Sequence, residues 1–255
     1  MFFVEVGEKT LSLKHVALES VPADEGAHPV LDNLSTSKPG ALKAYRSFSQ
    51  CREAFLEQFP AGFQDERFLD LERDYKVVAH ELARDLLSRE AMSRSIAAGE
   101  HEEVCRGALQ IVNKTNLMFP NEKMALRDGL RDPQAQQAFV ERLHDLLHGD
   151  GDLHPRFEAF ANFLIGIGAG KWPTTTYLPF ILHPEQHMFV KPVAMQRAAE
   201  TCGFDIAYRT EPNWLTYSKV LEVSRYMWEE LADLGPRDML DVQSFLWCIE
   251  TGQSG

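Results

Sequence analysis

Two sets of side chains in this chain have the types and spacing to bind an anion. Arg73, Lys76, His80 and Arg84 recur at intervals of three and four, which on a helix aligns them in one stripe. Cations so aligned neutralise successive phosphates of a nucleic acid. The second set lies in the final third, where Lys171, Trp172, His183, His187 and Lys191 stand at the ends of short apolar segments, the places where sites tend to be built. An indole offers a face on which a base can stack, and neighbouring cations hold the anion beside it. These nine residues are the candidate ligand contacts. Acids at Asp70, Asp74, Glu81 and Asp85 flank the first stripe, a pattern equally suited to a solvated helix face laced by weak ion pairs.

Reactive chemistry finds less support. The run Gly166-Ile167-Gly168-Ala169-Gly170-Lys171 has the outline of a phosphate loop, but Trp172 stands where Ser or Thr would hold magnesium, and no strand precedes it. Its glycines read as the end of a helix. His183 and His187, and likewise His144 and His148, are four apart, the spacing of paired zinc ligands on a helix. Pro184 takes His183 out of helical geometry, Asp145 falls on another face than its neighbouring histidines, and neither pair has a well-spaced third ligand; no metal or other cofactor is expected. There is no Gly-x-Ser-x-Gly elbow, and no cysteine stands in a nucleophile's setting. A carboxylate centre built from Asp238 and Asp241, or from Glu72 with Lys76, is the remaining route to a metal-dependent hydrolase or nuclease.

Positioning these groups requires a folded core, and the chain can supply one: 255 residues, 44% hydrophobic and 25% charged, exclude disorder of the whole. Cys51, Cys105, Cys202 and Cys248 are far apart with no C-x-x-C spacing, so they read as reduced, mostly buried small hydrophobes. The start meets Glu5 within five residues and no window approaches the roughly 18 apolar residues of a membrane span. The expectation is a cytoplasmic protein of bacterial style with no membrane partner. A net charge of −12 opposes nucleic acid as a partner overall. Residues 41–131, however, carry 14 Lys and Arg against 15 Asp and Glu, while residues 171–255 carry 7 against 11, so a local positive patch is compatible with the acidic total.

The expected fold is mainly α, a multi-helix globular domain with a small N-terminal β-hairpin and a flexible arm. Apolar alternation around Gly7-Glu8 gives the hairpin, and the proline-rich stretch 22–40 the arm. From residue 41 the pattern is helical. The clearest helix spans 65–88, with Phe68, Leu71, Tyr75, Val78, Leu82 and Leu86 on its core face. Others are placed at 88–98, 100–112, 121–130, 133–148, 155–166, 213–234 and 236–249 from their caps and stops. The Gly149-Asp150-Gly151-Asp152 turn divides a helical subdomain, 41–149, from a C-terminal helical subdomain, 150–255, packed on it.

Trp172-Pro173-Thr174-Thr175-Thr176-Tyr177-Leu178-Pro179-Phe180-Ile181-Leu182-His183-Pro184, Lys191-Pro192, and Asp238-Met239-Leu240-Asp241-Val242-Gln243-Ser244-Phe245-Leu246-Trp247 together resemble a family of uncharacterised bacterial helical proteins. More distantly the segment is similar to accessory domains of restriction and phage-defence proteins. The resemblance covers the last third, assigns no catalytic residue, and implies a nucleic-acid or defence context. The leading expectation is a non-catalytic recognition module for nucleic acid or a nucleotide-like anion. The alternatives are a metal-dependent hydrolase or nuclease, and an interaction subunit that pairs with a protein partner or a second copy through its N-terminal strands.

Overall fold

A computed structural model of the chain describes residues 2–6, 9–13 and 47–251, with side chains of the last helix described to Leu246. The arm at 22–40 lies outside the described residues, as does the side chain of Cys248. The chain divides into two compact units, residues 1–44 and 45–255. In the first, strands Phe2–Val6 and Lys9–Leu13 pair antiparallel, Phe2 opposite Leu13. Among its described residues the second has helices as its only regular elements. Its elements are α1 (Phe48–Gln58), α2 (Glu66–Phe68), a π-helical turn (Leu69–Arg73), α3 (Asp74–Leu86), α4 (Arg89–Ala98), α5 (His101–Val112) and α6 (Pro120–Gly129). There follow α7 (Pro133–His148), α8 (Leu153–Gly166), α9 (Trp172–Leu182), α10 (Pro192–Thr201), α11 (Trp214–Glu230) and α12 (Met239–Thr251). Among the described residues no helix is long and apolar enough to cross a membrane.

Side-chain caps set several of the boundaries. Ser88 accepts from the Ala91 amide, Asp132 from Ala135, and Asn213 from Thr216, each satisfying one orphan donor of a first turn. Gly99 ends α4 at φ +72°, a left-handed conformation that favours glycine. The turn at 149–152 joins α7 to α8, which pack against each other.

The unit is built around α9. All eleven of its residues are buried, and α3, α5, α6, α7, α8 and α12 all pack on it. A helix apolar on every side belongs at the centre of a core. Its threonines fit there because Thr175 and Thr176 donate to the carbonyls of Lys171 and Trp172, one turn back; Tyr177 shares a hydrogen bond with Thr115 and donates to Ile111. A second cluster of rings, Phe55, Phe59, Phe63, Phe68 and Phe245, locks α1 and α2 to α12 at centroid separations of 4.9 to 5.7 Å.

The π turn corrects the expected orientation of the 65–88 helix. Phe68, before the turn, is buried as the periodicity requires. After it the buried positions are Lys76, Ala79, Ala83 and Leu87, each one residue past the expected Tyr75, Val78, Leu82 and Leu86. A π turn acts as a one-residue insertion in an α-helix and so rotates everything that follows by about 100°. Leu71 and Val78 consequently face solvent at 51% exposure each. Part of the basic stripe turns inward.

Candidate functional site

Arg73 and Lys76, expected as phosphate contacts, are instead part of a buried ionic node against α12. Arg73 grips Asp238 with both terminal nitrogens at 2.8 and 2.9 Å and reaches Asp241 at 2.8 Å. Arg237 binds the other Asp241 oxygen at 2.9 Å through its side chain and through its backbone amide. Lys76, with no exposed surface, donates to Ser244 at 2.6 Å and lies 4.0 Å from Glu72. Burial would depress Arg73, but hydrogen bonds and charges from Asp238 and Asp241 outweigh it and hold the guanidinium protonated; burial pushes the Glu72 carboxyl up against the pull of Lys76. The two aspartates of the hypothetical nuclease centre do meet, but around two guanidinium groups.

The late-chain candidates are dispersed: His183 and His187 have neighbouring rings, 6.4 Å between centroids, but the others have separate surroundings. Trp172 is buried and donates its indole N–H to the Arg209 carbonyl at 2.8 Å, leaving no ring face for a base. Lys171 is exposed at the N-cap of α9. Lys191 lies over the Phe119 ring, 3.6 Å from its centroid. His187 is buried, stacked on Tyr217 with Nδ1 3.1 Å from the phenol oxygen; burial first, then the charges of His183 and Arg156, push its pKa down to about 3.

His80, Arg84 and His183 do come together. With Ser88, Arg89 and His148 they line an open basin of about 470 Å³, which Leu182 and Glu185 complete. The basin lies where α3, α7 and α9 end, and the last carbonyls of a helix have no partner within it. Three histidines supply the partners in a closed cycle. His80 of α3 bonds through Nδ1 to the Ile181 carbonyl of α9 at 2.7 Å. His183, at the end of α9, bonds through Nε2 to Leu147 of α7 at 3.0 Å. His148 of α7 bonds through Nε2 to Leu87 at the end of α3 at 2.7 Å.

A carbonyl only accepts, so each imidazole must be the donor, which fixes all three tautomers. In the neutral rings the second nitrogens, Nε2 of His80 and Nδ1 of His148 and His183, are lone pairs; proton uptake turns each into a cationic donor without breaking its carbonyl bond. For His148 burial lowers the pKa, the Leu87 carbonyl opposes this, and His183, His144 and Arg89 add to it. Glu185 lies 3.6 Å from His183 Nδ1 and is the one carboxylate on the basin. Arg89 reaches Asp150 only at 3.9 Å, and that aspartate is 99% exposed, so the pair leaves Arg89 nearly unconstrained.

Ser88, Arg89 and His148 are functional candidates that the sequence alone did not single out as ligand contacts; the signal was the placement of each at a helix boundary. Among the described residues no group of three His, Cys, Asp or Glu is spaced to hold a metal ion. The glycine-rich loop follows a helix, not a strand. A Cβ on Gly170 would stand 2.3 to 2.7 Å from atoms of Ile165, two of them backbone, so the glycine serves close packing.

The chain matches no family model, no curated protein and no solved structure.

Proposed function

We propose that the protein is a binding module for a small phosphorylated or otherwise anionic ligand, held in the basin at the ends of α3, α7 and α9. The observation that carries this reading is the lining: two guanidinium groups, three imidazoles and a hydroxyl against a single carboxylate. Arg84 and Arg89 provide bidentate donors for a phosphate, and Ser88 a further donor. The three imidazoles present ring nitrogens not used on the helix-end carbonyls. Long nucleic acid is a less natural ligand than a nucleotide-like one, because Arg73 and Lys76, half of the basic stripe, are committed to the ionic node.

Calorimetric titration of the full chain with inorganic phosphate, a nucleoside monophosphate and a nucleoside triphosphate, at pH 6 and pH 8, tests it. Binding should weaken with salt, and fall by about tenfold or more in Arg84→Ala and Arg89→Ala, the loss expected for one charge-assisted contact. Absence of heat with all three probes at both pH values refutes the proposal.

A further inference from the structure

The rotation imposed by the π turn leaves an apolar stripe on the surface. Leu71 and Val78 are each 51% exposed, and Tyr75, Leu82 and Leu86 beside them are half-buried. At its C-terminal end the stripe runs into a groove of about 590 Å³ between α3, α4 and α5, where Leu86, Ala91, Val104 and Gly107 are among the lining residues. Gly107 keeps this groove deep: a Cβ there would already touch Leu86 at 3.4 Å.

Charge surrounds the stripe unevenly. Asp74, Glu81 and Asp85 form an exposed rail one helical step away. Asp85, Glu100 and Glu103 lie on the groove, and of its two arginines Arg106 is engaged by Glu103 at 3.2 Å. A seam of apolar side chains at three-four spacing, railed by acids, is complementary to an amphipathic helix whose own seam is railed by Lys and Arg. From Leu71 to Leu86 it extends about 22 Å, the length of roughly four turns. A second copy of the chain is the wrong occupant: it would bring a molecule of net charge −12 and an identical acidic rail against this one.

We propose that the exposed face of the π turn and α3, continued into the α3–α4–α5 groove, docks a basic amphipathic helix of a partner protein. The surface lies on other residues than the anion basin and stands or falls without it. The test uses the full chain and two fluorescent helical peptides, about 18 residues long. One carries a leucine seam between Lys and Arg rails, and the other has the same composition scrambled to break the seam. Anisotropy should show saturable binding of the first only, weakened by salt. Affinity should fall by about tenfold in Val78→Lys, from lost apolar burial and added repulsion, and similarly in the double charge reversal Asp74→Lys/Glu81→Lys. These positions are exposed, so the variants retain the core. No binding, equal binding of both peptides, unchanged affinity in both variants, or a dimeric mass in solution that Val78→Lys abolishes would each overturn the proposal.

Discussion

His187 makes stability pH-dependent in a way that can be calculated and isolated. Its imidazole is 3% exposed and its pKa is pushed down to about 3, whereas in the unfolded chain a histidine titrates near 6.5. Above that value the ring is neutral in both states and contributes no pH dependence. As pH falls from about 6.5 towards 3, the unfolded state takes up a proton that the folded state refuses, so stability is lost throughout that window. Linkage at about 1.4 kcal/mol per pH unit gives a loss of about 2 kcal/mol at pH 5 and about 3 kcal/mol at pH 4. Urea unfolding of the natural chain and of His187→Gln at pH 7.5 and pH 5 reads this directly. The other titrating groups contribute to both proteins, so the natural chain should lose about 2 kcal/mol more than the variant between the two conditions. Parallel losses would refute the assignment of a neutral, proton-excluding site to His187, whatever the variant's absolute stability.

The ionic node predicts a large penalty for breaking one side of it. Asp241→Asn removes the charge facing Arg73 and Arg237 in a fully buried position and should cost about 3 to 5 kcal/mol, measured as a lowered urea midpoint; a change below about 1 kcal/mol would mean the node is effectively solvated. Gly170→Ala places a methyl group within 2.7 Å of backbone atoms of Ile165, closer than packing admits, and should lower the melting temperature sharply; an unchanged melt would show that the loop can shift away without loss.

Much of the helical layout was legible from local chemistry. Asp132-Pro133, Asn213 and Gly99 mark boundaries in the sequence, and each does the corresponding work in the structure. Of the core face expected over 213–234, Tyr217, Val220, Ser224, Met227 and Leu231 are buried as their spacing requires, while Leu234, past the end of α11, is half-buried. The π turn was not legible, because inserting one residue leaves a three-four pattern on either side of it, and both Tyr75-Val78-Leu82 and Lys76-Ala79-Ala83 satisfy that pattern. A buried lysine is also the last residue that hydropathy would place inward. The sequence reading places no helix over the central α9, since Pro173, three threonines and Pro179 obscure it. It folds because Pro173 occupies its first turn, where no N–H is needed, and because the hydroxyls of Thr175 and Thr176 bond back to its own carbonyls. Of the basin, His80, Arg84 and His183 were visible as residue types. Their meeting with His148 depends on three helix ends converging, which no local pattern encodes.

The histidine cycle also bears on the order in which the protein can assemble. Its three links close loops of 101, 61 and 36 residues, and each needs the end of one helix seated against a second helix. None is a local contact that could form while the chain is still extended, and loop closure must be paid before such contacts reward it. The third link can close only after α3, α7 and α9 have all docked. The cycle is therefore a late event in folding, and substitution of any one histidine should speed unfolding while leaving the folding rate almost unchanged.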